Sequence, residues 1–119
     1  MEKGLRDADW QDEAAFVGGL REIYRIEGDS MHPTLKEGDL VLVNPHAALE
    51  IGDIVVARHP FKKSVDIIKR IAKILPGDRY ILLSDNLDDS ADSRQFGAIG
   101  AKDILGKAEA KIKPETEEN

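Results

Sequence analysis

The chain has 119 residues, of which 41% are hydrophobic and 34% are charged, and this length supports one domain with a modest core. The formal net charge of −6 argues against nucleic acid as a main partner, because binding to phosphates requires a basic face. The absence of cysteine excludes disulfides, thiolate zinc sites and cysteine nucleophiles.

The first 20 residues are predicted to form a polar N-terminal arm with one apolar cluster at residues 14–20. This cluster allows a short helix, which Gly18 and Gly19 would end. No segment has the apolar run of a signal peptide or the roughly 18–20 apolar residues of a membrane span. We therefore expect a cytoplasmic protein without a transmembrane anchor.

Short apolar runs separated by turn signals occupy residues 21–112. The runs lie at residues 23–26, 40–43, 54–57, 65–75, 80–83 and 104–112, and Gly-Asp pairs stand at residues 28–29, 38–39, 52–53 and 77–78. This pattern predicts a mainly β domain over residues 21–112, a small barrel or a pair of packed sheets, with short helical segments at most. Residues 113–119 are predicted to form a flexible acidic tail.

Ser30 lies in an irregular segment between the first two predicted strands. Most serines in such turns only satisfy a backbone amide, and a serine becomes a nucleophile only where a base takes its proton. Gly28 allows close backbone approach, so that the amides of Gly28 and Ser30 can stabilise an oxyanion. The three histidines, His32, His46 and His59, are predicted to be surface or turn residues rather than the base.

Lys69 offers an alternative base on the longest predicted strand. Side chains alternate along a strand, so Lys69 shares a face with Ile67 and Ile71, whereas Arg70 points to the opposite face. If the face of Lys69 is buried, loss of hydration lowers the pKa of its amine, by ~3–5 units in the extreme case. Periodicity alone does not decide which of the two cations points inward.

A third polar segment, residues 84–97, carries four carboxylates and Arg94. The calcium-binding EF-hand pattern fails here, because Leu87 stands where an oxygen ligand is needed and Ser90 stands where a glycine belongs. We expect a structural loop in which the carboxylates and Arg94 bond to backbone and to each other. No metal site and no cofactor are predicted.

These three segments, together with a Gly-Asp-Ile-Val-Val run, resemble the sequence boxes of the signal peptidase I family of serine–lysine proteases. The matching boxes are residues 30–35 (SMHPTL), 52–56 (GDIVV), 69–70 with 76–78 (KR and PGD), and 85–86 with 90–97 (DN and SADSRQFG). The resemblance covers about residues 25–107. It departs from the family pattern at Ser84, where a glycine is usual, and at Leu87, where an arginine is common.

The resemblance implies the coiled β-barrel of signal peptidases and of the C-terminal domain of LexA. It implies that Ser30 is the nucleophile, Lys69 the general base, and the backbone amides of Gly28 and Ser30 the oxyanion hole. By the same resemblance Ser90 would orient Lys69. The implied supporting residues are Asp85 and an ion pair of Asp92 with Arg94. Apolar substrate pockets are expected from Met31, Pro33, Ile54 and Val56.

A short version without the membrane anchor and accessory domain of leader peptidases is similar to the maturation proteases of nickel-type superoxide dismutase. Residues 55–61 and 67–70 in particular resemble them. The expected partner is therefore a protein substrate with an N-terminal propeptide, the nickel superoxide dismutase precursor. Two alternatives are a self-cleaving domain like that of LexA-type repressors and a non-catalytic peptide-binding module on the same fold.

Overall fold

A computed structural model describes residues 4–113 of the chain. The strands are β1 (Arg6–Asp7), β2 (Glu22–Arg25), β3 (Leu40–Asn44), β4 (Ile54–Arg58), β5 (Asp66–Leu75), β6 (Arg79–Leu83), β7 (Ile99–Gly100) and β8 (Ile104–Ile112). The helices are α1 (Trp10–Val17) and α2 (Ser93–Phe96), with a 3₁₀ turn at Ala101–Asp103. The mainly β fold predicted from the sequence is confirmed, and β1 and β7 are two short strands that the sequence pattern did not reveal.

The strands form one sheet in the order β2-β3-β8-β4-β5-β6-β7, and β1 pairs with β8 outside this path. All neighbours are antiparallel except β1 and β8, which are parallel. Residues of β4 alternate between two core clusters: Val56 packs with Met31 in the first, whereas Val55 packs with Ile71 in the second. The sheet therefore packs apolar side chains on both of its faces at β4.

Glycines with positive φ lie in the loops that separate the strands, as the Gly-Asp pairs predicted. Gly28, Gly38, Gly52 and Gly77 have φ angles of 76, 94, 97 and 81°. The following aspartate bonds to backbone in two of these turns, since Asp39 accepts from the Lys36 amide at 2.9 Å and Asp53 accepts from the Glu50 amide at 2.8 Å. The turn chemistry thus fixes where the strands end.

The N-terminal arm contains the short helix that the sequence allowed. Asp9 caps α1, Asp12 completes a reciprocal capping box, and the amide of Gly18 closes the last turn at the Ala14 carbonyl. Arg6 donates two hydrogen bonds to the Asp12 carboxylate, at 2.7 and 2.8 Å. Because β1 pairs with β8, the arm is tied to the sheet as well as to its own helix.

No helix within residues 4–113 is long and apolar enough to cross a membrane. The flexible tail expected at residues 113–119 lies, from residue 114 on, outside the described residues.

Candidate active site

A groove with a volume of about 690 Å³ runs between residues 24–30 and the beginning of β5. Its lining includes both Ser30 and Lys69. The first four residues of β5 pair with β4, and the pairing of β5 with β6 begins only at Arg70. Within the described part of the chain, residues 66–69 therefore have a partner strand on one edge only, and all four line the groove.

The loop that carries Ser30 is held by two hydrogen bonds from Asn86, in the 84–97 loop. The Asn86 amide donates to the carbonyl of Ser30 at 2.9 Å, and the Asn86 side chain donates to the carbonyl of Asp29 at 2.9 Å. Within the loop, Gly28 adopts a positive φ of 76°, which is strained for other residues. These contacts hold Ser30, half-buried, with its backbone fixed on both sides.

Lys69 is 4% exposed and lies on an apolar part of the sheet. Its direct neighbour across the strand pair is Val55, and Ile67 and Ile71 flank it on the same face of β5. Burial lowers the pKa of the Lys69 amine from its ordinary value, and the charges of Asp89 and Asp92 oppose this shift in part. A buried lysine of this kind can lose its proton and act as a base.

Arg70 is buried to nearly the same extent, with 5% of its surface exposed. Its Nε and Nη2 donate to the two carboxylate oxygens of Asp85 at 3.0 and 2.6 Å, and its Nη1 donates to the Gly52 carbonyl at 2.9 Å. Asp85 also accepts from the hydroxyl of Thr34 at 2.6 Å. Both faces of β5 are thus covered at this point. The sequence left open which of the two cations points inward, and in the structure both are buried.

Asp92 is fully buried, and its carboxylate bonds to backbone amides of the 84–97 loop and to the side chain of Arg94. It accepts from the Ser84 amide at 2.8 Å and from the Arg94 amide at 3.0 Å, and the Arg94 guanidinium bonds it at 3.0 and 2.7 Å. Burial tends to raise the pKa of Asp92, but these hydrogen bonds outweigh burial and lower it to about 2. In these contacts a carboxylate and Arg94 bond to backbone and to each other, and the structural role of the loop stays a prediction.

The remaining predicted site residues differ in whether they line the groove and in how far they are buried. Val56 lines it, whereas Met31 and Ile54 lie in the core with almost no exposed surface, and Pro33 is exposed on the outside of its loop. Substrate contacts through these last three residues stay predictions. Ser90 is exposed, although its neighbours Asp89 and Ala91 line the groove, and its expected role in orienting Lys69 also stays a prediction.

Three residues that contact the serine loop or line the groove were not singled out from the sequence. Asn86 and Thr34 hold the serine loop to the 84–97 loop, and His59 lines the groove while its Nδ1 accepts from the amides of Phe61 and Lys62 at 3.0 and 3.1 Å. Burial, with the charges of Lys62 and Lys69, lowers the pKa of His59. The one available signal was Asn86 itself, because asparagine commonly bonds to backbone in turns.

Comparisons with known proteins identify the family of the chain. The chain is 31% identical over 119 residues to mitochondrial inner membrane protease subunit 1 of Xenopus tropicalis, an alignment that covers 80% of this chain and 71% of that protein. It is 31% identical over 123 residues to the Homo sapiens protein of the same name, covering 83% and 72%. It is 26% identical over 152 residues to signal peptidase IB of Staphylococcus aureus, covering 79% and 78%. The resemblance to signal peptidases is thereby confirmed, and since the Peptidase S24-like profile matches residues 13–108, the chain belongs to the Peptidase S24-like family.

Proposed function

We propose that this peptidase is a serine endopeptidase in which Ser30 is the nucleophile and Lys69 the general base. The observation that carries the proposal is that one groove is lined by both residues, and that the burial of Lys69 lowers the pKa of its amine. A serine needs a base that is neutral before reaction, and an exposed lysine would be charged at pH 7. Burial shifts the pKa of Lys69 in the direction that this chemistry requires.

The proposed reaction begins when Lys69 Nζ takes the proton of the Ser30 hydroxyl, while Oγ attacks the scissile carbonyl carbon. The amides of Gly28 and Ser30 would stabilise the oxyanion that forms, with each such donor worth about 3 kcal/mol in related sites. Collapse of this intermediate breaks the carbon–nitrogen bond, and the Lys69 ammonium returns its proton to the leaving amine. Water, deprotonated by Lys69, then hydrolyses the ester on Ser30.

The substrate would bind as an extended peptide along the edge of residues 66–69. An unpaired strand edge offers alternating backbone donors and acceptors, which an added strand can satisfy. The groove also presents apolar surface from Ile26, Val56 and Ile68, suited to small apolar side chains of such a peptide. Affinity would therefore come largely from backbone bonds, and side-chain preference from the apolar lining.

We further propose that the substrate is the precursor of nickel superoxide dismutase and that the enzyme removes its N-terminal propeptide in the cytoplasm. The segments that resemble the maturation proteases of this enzyme support the proposal by their position. Val56 and His59 come from residues 55–61, Ile67 and Lys69 come from residues 67–70, and all four line the groove. The part of the chain that carries the resemblance is thus the part that would meet the substrate.

The test is incubation of the purified protein with a propeptide-bearing nickel superoxide dismutase precursor, followed by mass spectrometry. We expect cleavage in trans, and its loss in Ser30→Ala and in Lys69→Ala with the fold retained by circular dichroism. Lys73→Ala is the matched control, because Lys73 is an exposed lysine on the same strand. Activity retained in either dyad variant would refute the mechanism.

The same experiment separates the alternatives. Shortening of the enzyme itself would indicate self-cleavage of the LexA type, and binding of the precursor without cleavage would indicate a non-catalytic module. In the expected case, kcat/KM rises with pH as Lys69 loses its proton, with a midpoint below 10.5, the ordinary pKa of lysine.

A further inference from the structure

Ser84 carries a buried hydroxyl for which the described part of the chain supplies no hydrogen-bond partner. The residue is 8% exposed and follows directly on the end of β6, and its Oγ is buried without a partner. Its backbone is well fixed, because the Ser84 amide donates to Asp92. Buried hydroxyls nearly always have partners, since leaving one unpaired costs free energy. We therefore expect a neighbouring group that can form a hydrogen bond with the Ser84 hydroxyl.

The register of the sheet points to Lys69 as this neighbour. Arg70 pairs with Leu83 and Ile71 pairs with Leu82, and the pairing of β5 with β6 ends at Leu83. Ser84 is the next residue after Leu83, so the same register, extended one residue past the last pair, brings it towards Lys69. Residues directly opposite in an antiparallel pair point to the same face, with Cβ atoms about 4.5–5.5 Å apart. A lysine side chain with four rotatable bonds can close such a separation.

The strand neighbours of Lys69 on this face are apolar and cannot bond to its amine. Val55 lies opposite it on β4, and Ile67 and Ile71 flank it along β5. Asp89 and Asp92, from the 84–97 loop, act on Lys69 through their charges. Ser84 is thus the polar side chain that the strand register brings towards Lys69. The resemblance assigned the orienting role to Ser90, but Ser90 is exposed, whereas Ser84 is buried at a position where the family usually has glycine.

We propose that Ser84 is a positioning residue for Lys69, and that its Oγ accepts a hydrogen bond from Nζ when the dyad is assembled with substrate; this inference rests on the proposed function. A neutral lysine amine has two N–H donors and one lone pair. The lone pair faces the Ser30 hydroxyl, and one N–H is bound by Ser84, which sets the direction of the lone pair. When the proton of Ser30 moves to Nζ, the amine becomes an ammonium and this hydrogen bond strengthens. Ser84 thereby stabilises the charge that forms during the reaction.

The test compares Ser84→Ala with Ser93→Ala, a matched control at the other buried serine of this region. Ser93 is also 8% exposed, but its Oγ accepts from the Leu82 amide at 2.8 Å and has a structural role. For Ser84→Ala we expect kcat to fall about tenfold with KM within about twofold of the parent, because the lost bond acts on the transition state. The midpoint of the pH profile of kcat, which reports the complex with substrate, should move down, since an acceptor for the ammonium is gone. Ser93→Ala should lower the melting temperature and leave the midpoint in place.

A second readout does not depend on catalysis. The titration of Lys69 is followed by NMR of ¹³C-labelled lysine in Ser30→Ala protein bound to the uncleaved precursor, with its signal assigned from Lys69→Ala, and adding Ser84→Ala should shift this titration to lower pH. Ser84→Gly, the residue usual in the family, repeats the measurement with a second side chain should the alanine variant fold poorly. An unchanged Lys69 titration together with an unchanged pH–rate midpoint would overturn the role of Ser84, whatever the value of kcat. Failure of the dyad itself is a separate outcome, seen as cleavage that persists in Lys69→Ala.

Discussion

Asp92→Asn tests how the buried carboxylate of the 84–97 loop contributes to stability. Asp92 has an ordinary pKa of 3.8, and its hydrogen bonds, acting against burial, lower this value to about 2 in the folded protein. A difference of this size corresponds to about 2 kcal/mol, since one pKa unit is worth about 1.4 kcal/mol. Because the folded pKa is the lower one, this stabilisation is fully present above about pH 4 and is lost as the pH falls toward 2.

The assay is urea unfolding of both proteins between pH 7 and pH 3. At pH 7, Asp92→Asn should lower the free energy of unfolding by about 2 kcal/mol, because asparagine keeps the shape but not the charge that binds Arg94. The difference should narrow toward pH 3, because Asp92 in the unfolded parent, with its ordinary pKa of 3.8, takes up a proton there while the folded protein still keeps the charge. Asp88→Asn, at an exposed position of the same loop, should stay within about 0.5 kcal/mol of the parent. A difference that does not change with pH would refute the reasoning.

Three further substitutions address the site and its supports. Asp85→Ala should lower the free energy of unfolding by about 3–5 kcal/mol in urea, because it removes the carboxylate that binds buried Arg70; a loss under 1 kcal/mol would contradict this. Gly28→Ala should cost about 1–2 kcal/mol by the same assay and lower kcat, since alanine is strained at a φ of 76°; parental stability and rate would contradict this. Lys69→Met should abolish cleavage yet raise the melting temperature at pH 7, because it replaces a buried amine with an apolar side chain; a lower melting temperature would show that the amine is stabilised in place.

The main strands could be predicted because their apolar runs end at turn signals, and the backbone does turn at these positions. The run at residues 104–112 coincides with β8 (Ile104–Ile112), and the run at residues 65–75 exceeds β5 (Asp66–Leu75) by one residue. The strands β1 and β7 have two residues each and carry no periodic pattern that a sequence could reveal. β1 pairs with β8 and β7 pairs with β6, so each short strand depends on the position of a longer one.

The candidate residues of the site could be predicted from the sequence, but their supports could not. The turn at Ser30, the strand that carries Lys69 and the family resemblance made these two residues candidates, and the structure brings both to one groove. The hydrogen bonds that hold the serine loop cross long stretches of sequence, as that from Asn86 to the Asp29 carbonyl does across 57 residues. No local pattern encodes such a contact, because it exists only once two distant loops are packed together.

The neighbouring cations Lys69 and Arg70 show how one strand can place two basic side chains in opposite electrostatic environments. Strand alternation sends the two side chains to different faces, and both are buried. On its face Arg70 meets the Asp85 carboxylate, whose two oxygens match the guanidinium fork and keep the charge in place. On the other face Lys69 meets apolar side chains and forms no ion pair with any residue between 4 and 113, so burial favours its neutral form. Under the proposed mechanism the order of the two residues cannot be reversed, because an arginine at position 69 would not release its proton and a lysine at position 70 would lack the fork that binds Asp85.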